Sequence, residues 1–114
     1  MKIEIKKNNM SADLELQLYI ERRIYFALSR FTHQIRTITV RLQDINGPKG
    51  GNDKKCQIVI RLKSKTLILE GLEDNFFTAV DLTAARAQRG VSREIDRMKD
   101  FKTRSIQYLP EYAF

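Results

Sequence analysis

The chain has 114 residues and a mass of 13.4 kDa, which suits one compact domain and leaves no room for a second. Hydrophobic residues make up 42% and charged residues 31% of the chain, so it can fill a core and keep a solvated surface, which excludes wholesale disorder. The 21 lysines and arginines outnumber the 14 acids, and this net charge of +7 favours a polyanionic partner.

The positive charge is concentrated towards the end of the chain. Residues 1–81 carry 14 basic and 10 acidic side chains, and the much shorter segment 82–104 carries 7 basic and 3 acidic ones. The two segments therefore have the same net charge, which makes the second the more strongly basic.

Cellular location and membrane insertion are constrained by two features. Cys56 is the only cysteine, which excludes an intrachain disulfide and a cysteine-based metal site and suits a reducing compartment. The N-terminus lacks the apolar run of a signal peptide, and no stretch approaches the roughly 18 apolar residues of a membrane span. We expect a cytoplasmic protein that is neither exported nor embedded in a membrane.

The first predicted elements are a short strand and a long helix. Ile3 and Ile5 alternate with charged residues, which is the period-two pattern of a strand with one buried face. Ser11 is a good N-cap, and the pattern after it predicts a helix from about residue 12 to residue 31. Its predicted apolar face consists of Leu14, Ile20, Ile24, Leu28 and Phe31.

Three strands and a second helix complete the predicted fold. Apolar and polar residues alternate over 38–42 and 56–63, which predicts antiparallel neighbours joined by a glycine-rich loop. Residues 66–70 form a fourth predicted strand after a tight turn, and residues 71–74 end it. From residue 75 to about residue 102 the apolar positions have helical spacing: Phe77, Val80, Ala84, Ala87, Val91, Ile95 and Met98.

The predicted order is β-α-β-β-β-α. It indicates an α+β two-layer fold in which both helices cover the same face of a four-stranded sheet. Residues 1–104 are predicted to form this single domain, and residues 105–114 a flexible C-terminal tail.

A row of four arginines gives the second helix a basic face. At about 100° of rotation per residue these side chains fall within roughly 80° of arc, opposite the apolar stripe. They are Arg86, Arg89, Arg93 and Arg97. Arginine forks match phosphate oxygens, and helical spacing puts them about 5–6 Å apart, on the scale of phosphates along a nucleic-acid strand. A solubilising face is the alternative, but it usually mixes charges, and acids are nearly absent here.

The first helix interleaves basic and aromatic residues on its outward side. Arg22, Arg23 and Arg30 are candidates for phosphate contacts. Tyr19 and Phe26 allow two interpretations: they stack on exposed bases, or they pack against the neighbouring helix.

The glycine-rich loop between the second and third strands is another candidate. Lys49, Lys54 and Lys55 supply positive charge beside glycines that let backbone amides approach phosphate. The Walker spacing is not met, and a long flexible hairpin connection is the alternative.

Catalytic chemistry has little support in the sequence. His33 is the only histidine and has no carboxylate near it, no serine lies in a nucleophile elbow, and Cys56 takes an inward strand position. We therefore expect a protein that is not an enzyme and needs no metal, cofactor or small-molecule substrate.

Three stretches match the pattern of a known family. The most specific has the acid pair Glu73-Asp74, then Phe77-Thr78-Ala79-Val80-Asp81, then Arg86, Arg89 and Arg93. Residues 44–56 are similar to a glycine-lysine loop of one branch, and Ser11 with the helix after it is similar to the family's first helix. Over nearly its whole length the chain resembles the ribosome hibernation-promoting factors, also called ribosome-associated inhibitors or sigma-factor modulation proteins.

The resemblance implies a partner and an action. In that family the two helices present basic residues to small-subunit rRNA of the 16S type, in the channel used by messenger and transfer RNA, which stops translation reversibly and stabilises idle ribosomes. Arg86, Arg89 and Arg93 match the basic positions of the family's second helix, and Arg23 and Arg30 match its first helix more loosely.

The chain also departs from the family's pattern. The spacer between Asp74 and Phe77 is one residue longer, and the loop between the second and third strands is longer than in short members. The sequence has no counterpart of the C-terminal dimerisation domain of long-form factors, so pairing of ribosomes through that domain is not expected and a monomer on the ribosome is favoured. Two alternatives stay open: a regulatory module that uses its basic face on an acidic protein, and a generic double-stranded RNA binder.

Overall fold

A computed structural model describes the backbone of residues 1–8, 13–45 and 53–108, and the side chains of residues 1–7, 13–45 and 53–99. The order of elements is β1, α1, β2, β3, β4, α2, which confirms the predicted β-α-β-β-β-α fold. Their bounds are β1 Lys2–Asn8, α1 Leu14–Leu28 followed by a 3-10 turn at Ser29–Phe31, β2 Ile35–Asp44, β3 Lys54–Leu62, β4 Thr66–Glu73 and α2 Phe76–Tyr108.

The four strands form one mixed sheet in the order β1-β2-β3-β4. Helix α1 carries the chain back between β1 and β2, so these strands are parallel, whereas the two connections that follow join antiparallel neighbours. The register aligns Ile5 with Val40, Val40 with Ile58, and Ile58 with Leu69 across the sheet. A continuous apolar row therefore lies under the helices.

Both helices pack on the same face of the sheet. Buried side chains of the two helices and of the inward strand positions form a single hydrophobic cluster. Its largest fully buried members are Leu16, Ile20, Ile24, Leu28, Ile38, Leu42, Ile58 and Ile60. Each such side chain contributes roughly 1.5–3 kcal/mol by leaving water, so this cluster dominates the stability of the fold. Neither of the two described helices covers the opposite face of the sheet.

Helix α1 begins later than predicted and buries a different set of residues. It starts at Leu14, and the side chain of Asp13 caps it by accepting a hydrogen bond of 3.2 Å from the Leu16 amide. The predicted cap Ser11 lies outside the described residues. Leu14 is 70% exposed, so its assignment to the apolar face was wrong, and Leu16, at 2% exposure, takes that place.

Strand β4 and helix α2 both extend beyond their predicted ends. β4 runs on to Glu73 because Gly71 still pairs with Cys56. Gly71 also lies so close to α2 that a Cβ atom there would clash with Thr83 Oγ1 and lie 3.3 Å from the Ala79 carbonyl oxygen, so a side chain at this position would force Thr83 or the helix to move.

The side chain of Asn75 caps α2 by accepting a hydrogen bond of 2.7 Å from the Phe77 amide. The helix continues to Tyr108, past the predicted end near residue 102, and its 33 residues span about 50 Å. Of the predicted tail, residues 109–114 lie outside the described part of the chain. Neither α1 nor α2 contains an apolar stretch of the length that a bilayer crossing requires.

Candidate nucleic-acid interface

Three of the four arginines of the α2 row meet Arg30 in a shallow groove between α2 and the end of α1. The groove has a volume of about 490 Å³ and is lined by Arg30, Gln88, Arg89, Ser92, Arg93, Asp96 and Arg97. Four of these side chains are guanidiniums and one is a carboxylate. The helical spacing of the sequence placed Arg89, Arg93 and Arg97 on one face, and the packing of the helices adds Arg30 to them.

The positive charge of the groove is largely free of acidic partners. Arg89 and Arg93 are exposed, and neither forms an ion pair within the described ranges. Arg97 approaches Glu94 at 3.7 Å, but its side chain is 71% exposed and such a contact contributes little. Arg30 lies 4.7 Å from the centre of the Phe31 ring, where a cation-π contact orients its guanidinium. Phosphate oxygens are the groups that this set of donors fits.

Arg86, the first member of the row, points to a different part of the surface. Its Nη1 donates a hydrogen bond to the backbone carbonyl of Glu70 on β4. Arg86 and Lys55 line a second shallow pocket of about 410 Å³, and Lys55 Nζ lies 3.6 Å from a Glu70 carboxylate oxygen. Both cations are thus near β4 and its acid, not in the arginine groove.

Two of the candidate residues on α1 serve the contact between the helices. Tyr19 donates a hydrogen bond to Asp81 Oδ1, and its ring meets Phe77 edge-on with the ring centres 5.1 Å apart. Arg23 Nε donates to the same Asp81 oxygen at 3.2 Å, and its side chain is 24% exposed. The hydrogen bond to Asp81 is the main reason why the pKa of Tyr19 is raised, with burial second. Of the two interpretations of Tyr19, the packed one is therefore confirmed.

The remaining candidates of α1 face solvent. Arg22 is exposed, and Phe26, one turn later, is exposed over 81% of its surface. Phe26 therefore does not pack against α2 as Tyr19 does.

The lysines of the loop have separate surroundings. Lys49 lies outside the described residues. Lys54 Nζ is 2.6 Å from Asp44 Oδ2 and 3.3 Å from Asp53 Oδ1, and the hydrogen bond to Asp44 is the main reason why the pKa of Lys54 is raised. Its charge is already balanced at the base of the loop. The nearby Phe76 ring, 5.9 Å away, adds a weak cation-π contact.

The groups with catalytic or metal-binding chemistry do not converge. His33 is exposed, and Cys56 is fully buried on β3, where burial raises the pKa of its thiol to about 11. Such a thiol is protonated at neutral pH and is a poor nucleophile. In the side chains that the structure describes, no three histidine, cysteine, aspartate or glutamate residues are placed to hold a metal ion.

The sequence model of the family described as "Sigma 54 modulation protein / S30EA ribosomal protein" matches residues 3–99. The chain belongs to this family. The match includes the acid pair, the aromatic-aliphatic stretch and the arginine row, so the resemblance read from those residues is confirmed. It is a family of ribosome-associated factors and not an enzyme family.

Solved structures show the same fold as this member of the family. A ribosomal subunit interface protein from Coxiella burnetii is 18% identical, with a TM-score of 0.70 over 84% of this chain and 99% of that one. The N-terminal domain of Protein Y from Thermus thermophilus is 17% identical, with a TM-score of 0.67 over 82% of this chain and 98% of that one. No curated protein matches the chain by sequence.

Sequence reasoning missed several residues of the site. Gln88 and Ser92 line the groove one turn apart between the arginines, and their helical spacing was a signal that could have identified them. Asp81 was read only as part of a family motif, because its partners Tyr19 and Arg23 are about 60 residues away and are brought to it by helix packing.

Proposed function

We propose that this protein binds small-subunit ribosomal RNA through the arginine groove, in the channel used by messenger and transfer RNA, and so inhibits translation and stabilises idle ribosomes. The observation that carries the proposal is the groove itself: four guanidiniums and one carboxylate, on a fold and in a family of ribosome-associated factors. The protein acts by occupying this channel, which needs no cofactor and no chemical step. It belongs in the cytoplasm, with one copy of the chain on each ribosome.

The physical basis of binding is the release of counterions from RNA. Six exposed arginines are counted for phosphate contacts in this proposal: Arg30, Arg89, Arg93 and Arg97 of the groove, and Arg22 and Arg86 on the surface outside it. Each neutralised phosphate contributes about 0.7–0.9 to the salt dependence, so log affinity should fall with log salt at a slope of about −4 to −5. Arg23 and Lys54 add less in this scheme because Asp81, and Asp44 with Asp53, already balance their charges.

Co-sedimentation with purified small subunits over a range of KCl concentrations tests the proposal. Changing Arg89 and Arg93 to glutamine should weaken binding and make the slope shallower by about 1.5–2. A matched pair, Arg36→Gln with Arg61→Gln, removes the same charge from exposed strand positions outside the groove and should bind nearly as the wild type. A flat salt dependence, or two pairs that behave alike, would reject the groove as the binding site.

Two further experiments distinguish this proposal from an acidic protein partner and from a generic double-stranded RNA binder. Pull-downs with and without ribonuclease distinguish an RNA partner from an acidic protein, because only the first is lost on digestion. A generic double-stranded RNA binder would bind free duplex RNA as tightly as it binds the assembled subunit.

A further inference from the structure

The face of the sheet opposite the two helices has a basic groove of its own. Along each strand, side chains that point away from the helices alternate with the buried ones, and this groove of about 430 Å³ is bordered mainly by outward side chains of the first three strands. Its positive charge comes from Lys6, Lys7, Arg41 and Lys55, and Gln43 and Gln57 give it amide groups. Lys7 and Leu42, which are cross-strand partners at the alternate positions, complete the lining. No carboxylate is among the described residues that line it.

The strand register brings these cations together. Lys6 on β1 and Arg41 on β2 are direct cross-strand partners, and Gln43 in the next outward position of β2 is paired with Lys55 on β3. Like charges directly opposite each other destabilise a sheet unless something neutralises them. Over the described ranges neither Lys6 nor Arg41 has an acidic partner, and Lys55 has only the loose 3.6 Å contact with Glu70. A bound anion would remove the repulsion between the paired cations.

We infer that this sheet groove is a second RNA-binding site, which takes the phosphate backbone of an RNA segment other than the one held by the helices. The inference rests on the proposed function for the identity of the polyanion. Adjacent strands are about 4.8 Å apart, so cations on neighbouring strands can reach successive phosphates. The Gln43 amide can donate to phosphate or sugar oxygens, whereas the Gln57 amide already donates to Glu70 Oε1 at 2.9 Å and keeps one hydrogen for such a contact. The groove lining contains no aromatic side chain, so recognition here is of backbone and not of base.

The two basic surfaces are on opposite sides of the domain. The arginine groove lies on the helical layer, and the sheet groove lies beyond the sheet, with the hydrophobic cluster between them. A protein with this arrangement is held between two RNA segments and does not merely lie on one.

Salt-dependent binding of paired variants to small subunits tests the second site. Changing Lys6 and Arg41 to glutamine should weaken binding about tenfold and make the salt slope shallower by about 1.5–2, as expected for two lost phosphate contacts. The control pair Arg36→Gln with Arg61→Gln should bind with nearly the affinity and salt slope of the wild type. Arg61 is on the same strand as Gln57 but lies roughly 13 Å further along it, away from the groove. Circular dichroism and melting of both pairs check that the sheet is intact.

The outcomes separate the two proposals. If the wild type does not sediment with ribosomes, the proposed function and the second site both fall. If the wild type binds and the Lys6 and Arg41 pair binds like the control pair, only the second site is rejected.

Cross-linking from each face supplies an independent readout. Single cysteines at Thr39→Cys on the open sheet face and Ser92→Cys in the arginine groove can carry a thiol-linked photo-crosslinker, because buried Cys56 is not labelled under mild conditions. We expect the two positions to mark separate sets of rRNA nucleotides. Cross-links from Thr39→Cys to protein alone, or to no component of the ribosome, would overturn the second site.

Discussion

Replacing Asp81 with asparagine tests the contact that joins the two helices beside the arginine groove. Asp81 Oδ1 accepts hydrogen bonds from the Tyr19 hydroxyl and from Arg23 Nε. The Arg23 side chain is mostly covered, and its buried Nη1 has no hydrogen-bond partner in the described part of the protein. This guanidinium therefore depends on Asp81 for the balance of its charge.

The size of the effect follows from the exposure of the pair. A hydrogen bond to a charged group contributes about 1.5–3 kcal/mol, and a fully exposed ion pair about 0–1 kcal/mol. Because Asp81 is 47% exposed, we expect Asp81→Asn to lower the free energy of unfolding by about 1.5–2 kcal/mol. In a domain of this size that corresponds to a melting temperature lower by roughly 6–8 °C, measurable by circular dichroism.

The titration of Tyr19 gives a second measurement of the same contact. Because the hydrogen bond to Asp81 raises the pKa of Tyr19, the variant should shift that pKa back towards 10.0 in an NMR titration. Tyr19→Phe is the matched control: it keeps the ring contact with Phe77, loses the hydroxyl and should cost about 1 kcal/mol. If Asp81→Asn melts like the wild type and Tyr19 titrates unchanged, the helices are not joined here, and Tyr19 and Arg23 are again candidates for RNA contact.

Three further predictions test the packing. Gly71→Ala should cost about 1–3 kcal/mol of unfolding free energy because its Cβ would clash with Thr83 Oγ1, and Thr83→Ala in the same chain should recover part of that loss. Strictly additive effects of the two substitutions in urea unfolding would contradict the close approach. The pKa of Cys56 is about 11 in the folded protein against 9.0 ordinarily, so the stability that its protonated thiol contributes is present below pH 9 and should fall by about 2–3 kcal/mol as the pH rises to 11. A Cys56→Ala variant should lack this part of the loss in urea unfolding across that pH range. Leu16→Ala should lower the free energy of unfolding by about 2–5 kcal/mol and Leu14→Ala by less than about 0.5 kcal/mol. Equal losses in urea unfolding would show that the buried face of α1 is assigned wrongly.

The order of elements could be predicted because the periods of the sequence are clear. Alternation over β2 and β3 and the long helical period of α2 are local patterns, and each survives in the fold. The start of α1 was predicted less well, because Leu14, Leu16 and Leu18 all lie in its first turns. Leu16 faces the sheet because it lies one turn before Ile20, whereas Leu14 is rotated about 120° away from Ile20, so the helical period was a signal that could have identified Leu16.

Part of the candidate site was predictable because it too follows from the helical period of the sequence. Arg89, Arg93 and Arg97 share a face because of helical geometry alone, whereas Arg30 joins them only once α1 lies beside α2. The charges of Arg23 and Lys54 are balanced by Asp81 and Asp44, residues that other elements bring close. A basic residue in a sequence shows a charge, but the acid that neutralises it can come from any part of the fold.

The parallel strand β1 makes one edge of the sheet different from the rest. Among the described strands it is hydrogen-bonded to β2 alone, and its partners are 35 residues further along the chain, as in the pair Ile3 and Ile38. β1 can therefore detach by local unfolding while the β2–β3–β4 ladders stay intact. Its departure would leave the edge of β2 open to strand pairing with another chain. A ligand that spans Lys6 and Arg41 bridges these two strands, so it would protect the fold against association through that edge.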